Sequence, residues 1–343
     1  MLTKISTDLI THFLGKADIK SFLKDQAIRK LYDNLSDNSY QNTKVSMSNS
    51  NSFYPQSLFI AKSLEKKINK RDNVLTLRWL TEATHSVKNK LHIYLEDKDD
   101  LPDTELLVKA ISFITAFSDK PRKITIHLCL LKDKKTLRKN QTKITQMNVN
   151  SGSNKYSEIE SEICIFRMEE AIKVIMHEVI HGLRFSQLGS HDDITYRLCQ
   201  KYDIASKDIV IDESYTEVWA RIMNCLFITT QTETNNYQHF CTLLALEREF
   251  AIYQANKLRQ FAKKTQDKNF DRYTNVSAYY LVVGEIFSQF TEFLKICNCL
   301  PYLSDKDKCY EYIYNLDIIK KRKISLSDKF YSTMRMSLSE LEI

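Results

Sequence analysis

The amino-acid sequence predicts an α+β fold in which a small sheet packs on one buried helix and a mainly helical C-terminal part follows. Short strand-like apolar runs lie in the first half of the chain, and a segment that is apolar on nearly every side follows them. Residues 208–300 then show helical periodicity throughout. A helix that is apolar all round is buried in a protein of some size. This chain has 343 residues, of which 43% are hydrophobic, and it can bury such a core.

The predicted elements follow in order along the chain. Residues 1–35 have helical periodicity, residues 36–52 are rich in Ser and Asn and predict a flexible linker or surface loop, and residues 57–90 are expected to be helical again. We therefore interpret residues 1–90 as a mainly helical N-terminal region and residues 91–343 as a second domain. Its strands are expected within 91–167, at 91–95, 124–130 and 163–166, with a helix at 101–117.

The segment predicted to form the buried helix spans residues 168–186 and contains the pattern HExxH at residues 177–181. Because a helix has 3.6 residues per turn, His177 and His181 point to the same side, about one turn apart. This arrangement suits two ligands of a tetrahedral zinc ion. Glu178 then lies beside the metal and can act as a general base on its bound water. Hydrogen-bonded core histidines in a chance match to the pattern are the alternative.

A zinc site of this kind needs a third protein ligand, and the best candidates lie in the helical segment 211–222. Glu213 and Glu217 are one turn apart on one face of it. One carboxylate can bind the metal while the other supports a ligand histidine. We expect Glu213 to be the ligand and Glu217 the support. A solvated acidic face on an ordinary helix is the alternative.

HExxH followed by a helical Glu-x-x-x-acid resembles the gluzincin metallopeptidases, a branch of the zincins. The resemblance implies that His177, His181 and Glu213 bind one Zn²⁺ and that Glu178 is the base. Glu217 matches the supporting acid of that family, although its best-known members have Asp there. The implied fold is zincin-like, with a sheet that braces one side of the active-site helix.

A closer resemblance is to zincin-like proteins of large DNA viruses. It rests on residues 150–152, on residues 163–170 and on the pair Tyr279-Tyr280, and it covers residues 145–295. In view of this resemblance, Tyr279 and Tyr280 rank first as stabilisers of the oxyanion, although a core tyrosine is the default interpretation of both. The other candidates for that role are His239, His191 and Tyr215.

The last strand before the active-site helix of a zincin commonly lies at the cleft edge, where free backbone groups pair with an extended peptide. Here that edge is either residues 163–166 or the strand that enters Asn150, Ser151 and Gly152, which are therefore candidates for substrate binding. Gly152 can let the chain turn sharply or can admit substrate backbone.

The expected function is that of a zinc-dependent peptidase that cleaves inside peptide chains, with a peptide or protein as substrate. A carboxypeptidase-type exopeptidase stays open, whereas the chain lacks the Gly-x-Met-Glu-Asn-like motif that gluzincin aminopeptidases carry before HExxH. The alternative from another class is a catalytically silent binding module with the same fold. The intact Glu178 argues against it, because a structural metal site does not need a base.

Charge and cysteine usage set further bounds. The formal net charge is +7, a modest excess without interleaved aromatic residues, so nucleic-acid binding is not indicated. The sequence shows neither a signal peptide nor an apolar stretch long enough to span a membrane. The expected compartment is the reducing cytoplasm, that of the host cell for a viral protein. The eight scattered cysteines are expected to be core residues, including the group Cys297, Cys299 and Cys309.

Overall fold

The computed structural model describes residues 1–36, 45–80, 89–118, 120, 122–186, 188–189, 191–205, 209–232 and 236–343. Residues Ser277–Val282 form a π-helix. In chain order the elements are α1 (Lys4–Phe13), α2 (Ile19–Lys24), α3 (Gln26–Ser36), β1 (Ser46–Ser50), α4 (Lys62–Ile68), β2 (Asn73–Trp79), β3 (Asn89–Leu95), α5 (Thr104–Thr115), β4 (Lys123–Leu128), α6 (Gln146–Val149), β5 (Gly152–Tyr156), β6 (Glu160–Ile165), α7 (Ala171–Leu183), α8 (Asp192–Tyr202), α9 (Ile211–Thr230), α10 (Tyr237–Thr265), α11 (Val283–Ser288), α12 (Phe290–Ile296) and α13 (Lys306–Asn315).

The fold is α+β with a mixed six-stranded sheet, as the sequence predicts at this level. The strand order is β1-β2-β3-β4-β6-β5. The pairs β3–β4 and β4–β6 are parallel, and the other three pairs are antiparallel. Parallel neighbours need a crossover connection, and α5 forms the crossover from β3 to β4.

The internal contacts divide the chain into two compact units. The first, called the helical unit here, comprises Met1–Asp37, Lys135–Val149 and Phe185–Glu342. The second, called the sheet unit, comprises Asn38–Lys134 and Asn150–Arg184, together with Ile343. The first 36 residues therefore group with the C-terminal helices, whereas residues 45–80 group with the sheet. This division differs from the expected boundary at residue 90.

In the sheet unit, α7 packs on β5 and β6 and against α5. Alternate residues of the central strands are fully buried apolar side chains, among them Leu91, Ile126 and Ile163. The Trp79 indole donates a hydrogen bond to Ser112 Oγ over 3.1 Å, which ties β2 to α5. The strands predicted at 91–95, 124–130 and 163–166 and the helix predicted at 101–117 are confirmed by β3, β4, β6 and α5.

In the helical unit, the long helix α10 contacts α9, α11, the π-helix and the N-terminal helices α1, α2 and α3. α9 is buried along nearly its whole length. Leu9 and Phe13 of α1 enter a core with Leu246, Phe250 and Tyr253 of α10. The helices predicted for residues 1–35 and 208–300 are confirmed.

Two predictions for the N-terminal region are wrong. Within the Ser/Asn-rich stretch 36–52, residues 46–50 form strand β1, and residues 37–44 lie outside the described residues. β1 is an exposed edge strand held by backbone pairing with β2, so it needs no apolar side chains. Within 57–90, where a helix is expected, residues 62–68 form the helix α4 and residues 81–88 lie outside the described residues, but residues 73–79 form β2. Its alternation of Leu75, Leu77 and Trp79 has a period of two, which favours a strand.

The expected strand edge takes the second of its two predicted positions. β6, which contains residues 163–165, lies inside the sheet between β4 and β5. β5 begins at Gly152 and is the last strand on that side in the described part of the chain. The prediction that residues 163–166 form the edge is therefore wrong, and the strand that enters residues 150–152 is at the edge.

The buried helix predicted at 168–186 is confirmed by α7. It begins after Glu170 and ends before Arg184, and both flanking residues are left-handed, with φ of 62° and 59°. This conformation is uncommon for residues other than glycine and breaks the helix at both ends. α7 is therefore a short rigid cylinder with the HExxH residues in its second half.

Two further expectations concern the membrane and the cysteines. Among the residues that the structure describes, no helix combines the length and the apolarity needed to span a bilayer. All eight cysteines are buried free thiols. Burial raises the pKa of Cys297 to about 12 and also raises the pKa of Cys299 and Cys309, which fits core thiols.

Candidate metal centre

The three predicted metal ligands lie together. One ligand atom from each of His177, His181 and Glu213 lies within 4.8 Å of the other two. Among the residues that the structure describes, no other group of three or more His, Cys, Asp or Glu side chains comes as close. Ligands at about 2.0–2.2 Å from a tetrahedral zinc ion are roughly 3.3–3.6 Å apart. The limit of 4.8 Å exceeds these separations by about 1.2–1.5 Å.

The chemistry of the donor set fits zinc. Two imidazoles and one carboxylate are the protein ligands of one common type of catalytic zinc site, which leaves a fourth position open. His177 is buried, whereas His181 and Glu213 are half-buried. The two imidazole rings lie 4.9 Å apart at an angle of 72°, so their nitrogens can approach one point from two directions. The residues present therefore fit the metal that the motif implies.

Glu178 lies against the start of the edge strand. A Cβ atom at position 152 would lie 2.8 Å from Glu178 Oε1 and 2.9 Å from Val174 Cγ1. A larger residue at position 152 would force the Glu178 carboxylate to move, and Gly152 does not have a positive φ. The glycine therefore serves close packing against the predicted base, and the sharp turn that was one expectation for it is absent.

A chain of hydrogen bonds fixes β5 and β6 to the helix beside Glu178. Ser161 Oγ donates to Asn154 Oδ1 over 2.7 Å, and Asn154 Nδ2 donates to the Glu178 carbonyl over 2.7 Å. Gly182 leaves room for this chain, because a Cβ atom there would lie 2.6 Å from Ser161 Oγ. Two glycines thus let the strands approach α7 closely enough for polar contacts.

We expect Gly152→Ala to lower peptide hydrolysis far more than Gly182→Ala does. Both added methyl groups overpack the contact between α7 and the strands, which costs about 1–3 kcal/mol of the free energy of unfolding. Only the methyl group at 152 meets the Glu178 carboxylate. Denaturant unfolding and hydrolysis rates of both variants decide this prediction. Equal rates in the two variants would show that Glu178 tolerates the displacement.

Glu213 and Glu217 have different surroundings in the helical unit. Tyr279 Oη donates a hydrogen bond to Glu213 Oε2 over 3.1 Å. Glu217 is fully buried and accepts from Arg221 Nε over 2.8 Å. Arg221 also donates to Glu247 and to the Tyr279 carbonyl, over 3.4 and 3.3 Å. Glu217 thus belongs to a buried charge network, and Glu213 is the carboxylate that lies near the histidines.

Asn150 and Ser151 hold the backbone around the edge strand. The Asn150 side chain donates a hydrogen bond to the Phe59 carbonyl over 3.1 Å. The backbone carbonyl of Asn150 accepts one from Arg167 Nε over 2.8 Å. The Ser151 carbonyl accepts from the Phe166 amide over 2.9 Å. Both side chains are buried, and substrate binding by them stays a prediction.

The other four candidates for oxyanion stabilisation make contacts within the helical unit. Tyr280 is buried, and its hydroxyl donates to the Met334 carbonyl over 2.6 Å. Tyr215 is likewise buried and donates to the Pro301 carbonyl. His191 precedes α8 and packs on Tyr310, and His239 contacts Thr232 at the start of α10. Of the two predicted tyrosines, only Tyr279 contacts a predicted ligand.

Two residues that the sequence analysis did not single out contribute to this arrangement. Arg221 follows Glu217 by four residues, a spacing that pairs charges on a helix, so its role was readable from the sequence. Asn154 left no such signal, because its bond to Glu178 depends on how β5 lies on α7.

Comparison of the whole chain with protein-family models, with curated proteins and with solved structures finds no match.

Proposed function

We propose that this protein is a zinc-dependent metallopeptidase of the zincin type that cleaves inside peptide chains. The observation that carries the proposal is the approach of His177, His181 and Glu213 to within 4.8 Å, with Glu178 next to the first ligand in the sequence. Two imidazoles and one carboxylate are the ligand set of a catalytic zinc site, and the motif glutamate is the base that such a site needs.

Each residue has a defined part in the proposed reaction. A zinc ion, when bound, supplies a Lewis acid that polarises the substrate carbonyl and acidifies water. Glu178 accepts the proton of the attacking water and delivers it to the leaving amine. Its carboxylate lies beside Gly152, where a Cβ atom would come within 2.8 Å of Oε1. A base must lie within hydrogen-bond reach of the proton that it accepts, and the neighbouring position of Glu178 and the predicted ligand His177 in the sequence supports this role.

The edge strand supports a peptide as the substrate. β5 is the last strand on its side of the sheet among the described residues, and residues 155 and 156 of it are exposed. An extended peptide can pair with such an edge through its backbone. An edge of several residues accommodates a chain along its length, which favours cleavage inside a chain over cleavage at a terminus. Gly152 lies at the Glu178 end of this strand.

We expect the purified protein to bind about one zinc ion per chain, because three protein ligands are the usual minimum of a catalytic site. Metal analysis after zinc reconstitution and dialysis measures the number of zinc ions per chain. His181→Ala is expected to lose the ion, whereas the control His239→Ala, which changes a histidine near Thr232, is expected to keep it. A wild-type protein with no more metal than His181→Ala would contradict the site.

Peptide hydrolysis is tested with a mixed peptide library, with products mapped by mass spectrometry in the presence and absence of a zinc chelator. Products from peptide interiors, lost with the chelator, are the expected result. Products from one end alone would instead make the protein an exopeptidase. A zinc-loaded protein that cleaves nothing would make it a binding module.

A further inference from the structure

The π-helix Ser277–Val282 lies against the face of α9 that carries Glu213. Three hydrogen bonds join the π-helix to that face. Tyr279 Oη donates to Glu213, and Ser214 Oγ donates to the Ala278 carbonyl over 3.1 Å. Arg221 donates to the Tyr279 carbonyl. π-Helical turns are rare and occur frequently at functional sites. Here the widened turn presents a tyrosine hydroxyl to the carboxylate that lies near the histidines.

We propose that Tyr279 is a positioning residue for the third metal ligand, and that Glu217 acts on the site through Arg221 and Tyr279. This inference rests on the proposed function. It replaces the expectation that Tyr279 stabilises the oxyanion, and it gives Glu217 a route to the metal other than a ligand histidine.

The chemistry of the phenol argues for this role. A tyrosine has a single O–H donor, and that of Tyr279 is directed to Glu213 Oε2 at 3.1 Å. A proton engaged there is not donated to an oxyanion. The bond restrains rotation of the Glu213 carboxylate and thereby sets the direction in which the carboxylate faces a metal ion. Partners that orient metal ligands in this way typically change metal affinity by 10–100-fold.

The route from Glu217 to the ligand consists of three successive contacts. Glu217 accepts from Arg221 Nε at 2.8 Å, Arg221 Nη2 donates to the Tyr279 carbonyl at 3.3 Å, and the Tyr279 side chain reaches Glu213. Glu217 and Arg221 are fully buried, so their charges are strongly coupled to each other. Loss of the Glu217 charge frees Arg221 to turn and releases the π-helix backbone that carries Tyr279.

The test compares Tyr279→Phe with Tyr280→Phe. Both variants lose one hydroxyl in the same π-helix, but the hydroxyl of Tyr280 serves the Met334 carbonyl. We expect Tyr279→Phe to weaken zinc affinity by about 10–100-fold in competition with a chromophoric chelator. The visible absorption of the Co²⁺-substituted protein is expected to change as well. Tyr280→Phe is expected to match wild type in both measurements.

A double-mutant cycle tests the route from Glu217. Glu217→Gln is expected to weaken zinc affinity, and combining it with Tyr279→Phe is expected to add little, because both act through one contact. Additive losses would overturn the route through Arg221. If Glu217→Gln fails to fold, Arg221→Lys replaces it in the cycle, because lysine keeps the positive charge beside Glu217 but lacks the second nitrogen that reaches the Tyr279 carbonyl.

Hydrolysis at saturating zinc separates positioning from direct catalysis. A positioning role predicts that excess zinc restores most of the kcat of Tyr279→Phe, whereas an oxyanion role predicts that kcat stays low. If wild type binds zinc and His181→Ala does not, but Tyr279→Phe binds as wild type does, the positioning role is wrong and the proposed function stands. If wild type binds no zinc, both are wrong.

Discussion

Replacing Glu178 with glutamine is expected to leave the fold and the zinc content unchanged and to remove nearly all peptide hydrolysis. The amide has almost the size of the carboxylate, so the close packing at Gly152 is preserved. The amide cannot accept the proton of the attacking water. General-base assistance is worth about 10²–10⁴-fold, and hydrolysis is expected to fall by that factor.

The measurement is the hydrolysis rate of a peptide taken from the library products, at equal zinc content. Glu169→Gln is the matched control, because it makes the same chemical change at a buried glutamate that lies nine residues before Glu178 and precedes the start of α7. It is expected to keep the wild-type rate. Hydrolysis by Glu178→Gln at the wild-type rate would rule out Glu178 as the base, although the metal site would stand.

The second large effect separates Glu213 from Glu217. Glu213→Ala is expected to release the metal, with a loss of affinity above the roughly 10–100-fold of a supporting residue. Its free energy of unfolding without metal is expected to change little, because Glu213 is only half-buried. Glu217→Ala is expected to lower the free energy of unfolding by about 3–5 kcal/mol, because it leaves the buried Arg221 without its closest partner.

Chelator competition measures the metal affinity, and denaturant unfolding of the metal-free proteins measures the free energy of unfolding. Glu217→Gln, which keeps hydrogen-bonding capacity beside Arg221, is the variant for metal affinity if Glu217→Ala does not fold. The two residues are expected to differ in their main effect: Glu213 acts on the metal directly, whereas Glu217 acts chiefly on stability and reaches the metal only through Arg221 and Tyr279. Release of zinc by the Glu217 variants with retention by Glu213→Ala would reverse the assignment of the third ligand.

The sequence predicted the elements whose side chains follow a clear period. α7 is apolar on nearly all sides, and the runs at 91–95, 124–130 and 163–166 are dense in Ile and Leu, so burial could be inferred. β1 was missed because an exposed edge strand is held by its backbone and carries no apolar pattern. β2 is not evident from the sequence, because the alternation at residues 75, 77 and 79 is short and lies within the stretch 57–90 that is expected to be helical.

The grouping of His177, His181 and Glu213 was predictable for a similar reason. Spacing on one helix brings His177 and His181 to one side, and the same rule places Glu213 and Glu217 on one face of α9. What surrounds the ligands was not predictable, because it depends on how elements pack. The contact of Gly152 with Glu178 and the bond from Tyr279 to Glu213 join residues that are 26 and 66 positions apart.

The face of α9 that meets the π-helix constrains how this sequence can drift during evolution. Glu213, Ser214, Glu217 and Arg221 share that face only because their spacing follows the helical repeat. One inserted or deleted residue between 213 and 221 turns all later side chains by about 100° around the helix axis. Substitutions in this stretch can be compensated one at a time, but changes in its length cannot. Distant descendants of this chain should therefore vary in residue type along α9 and preserve its length from Glu213 to Arg221.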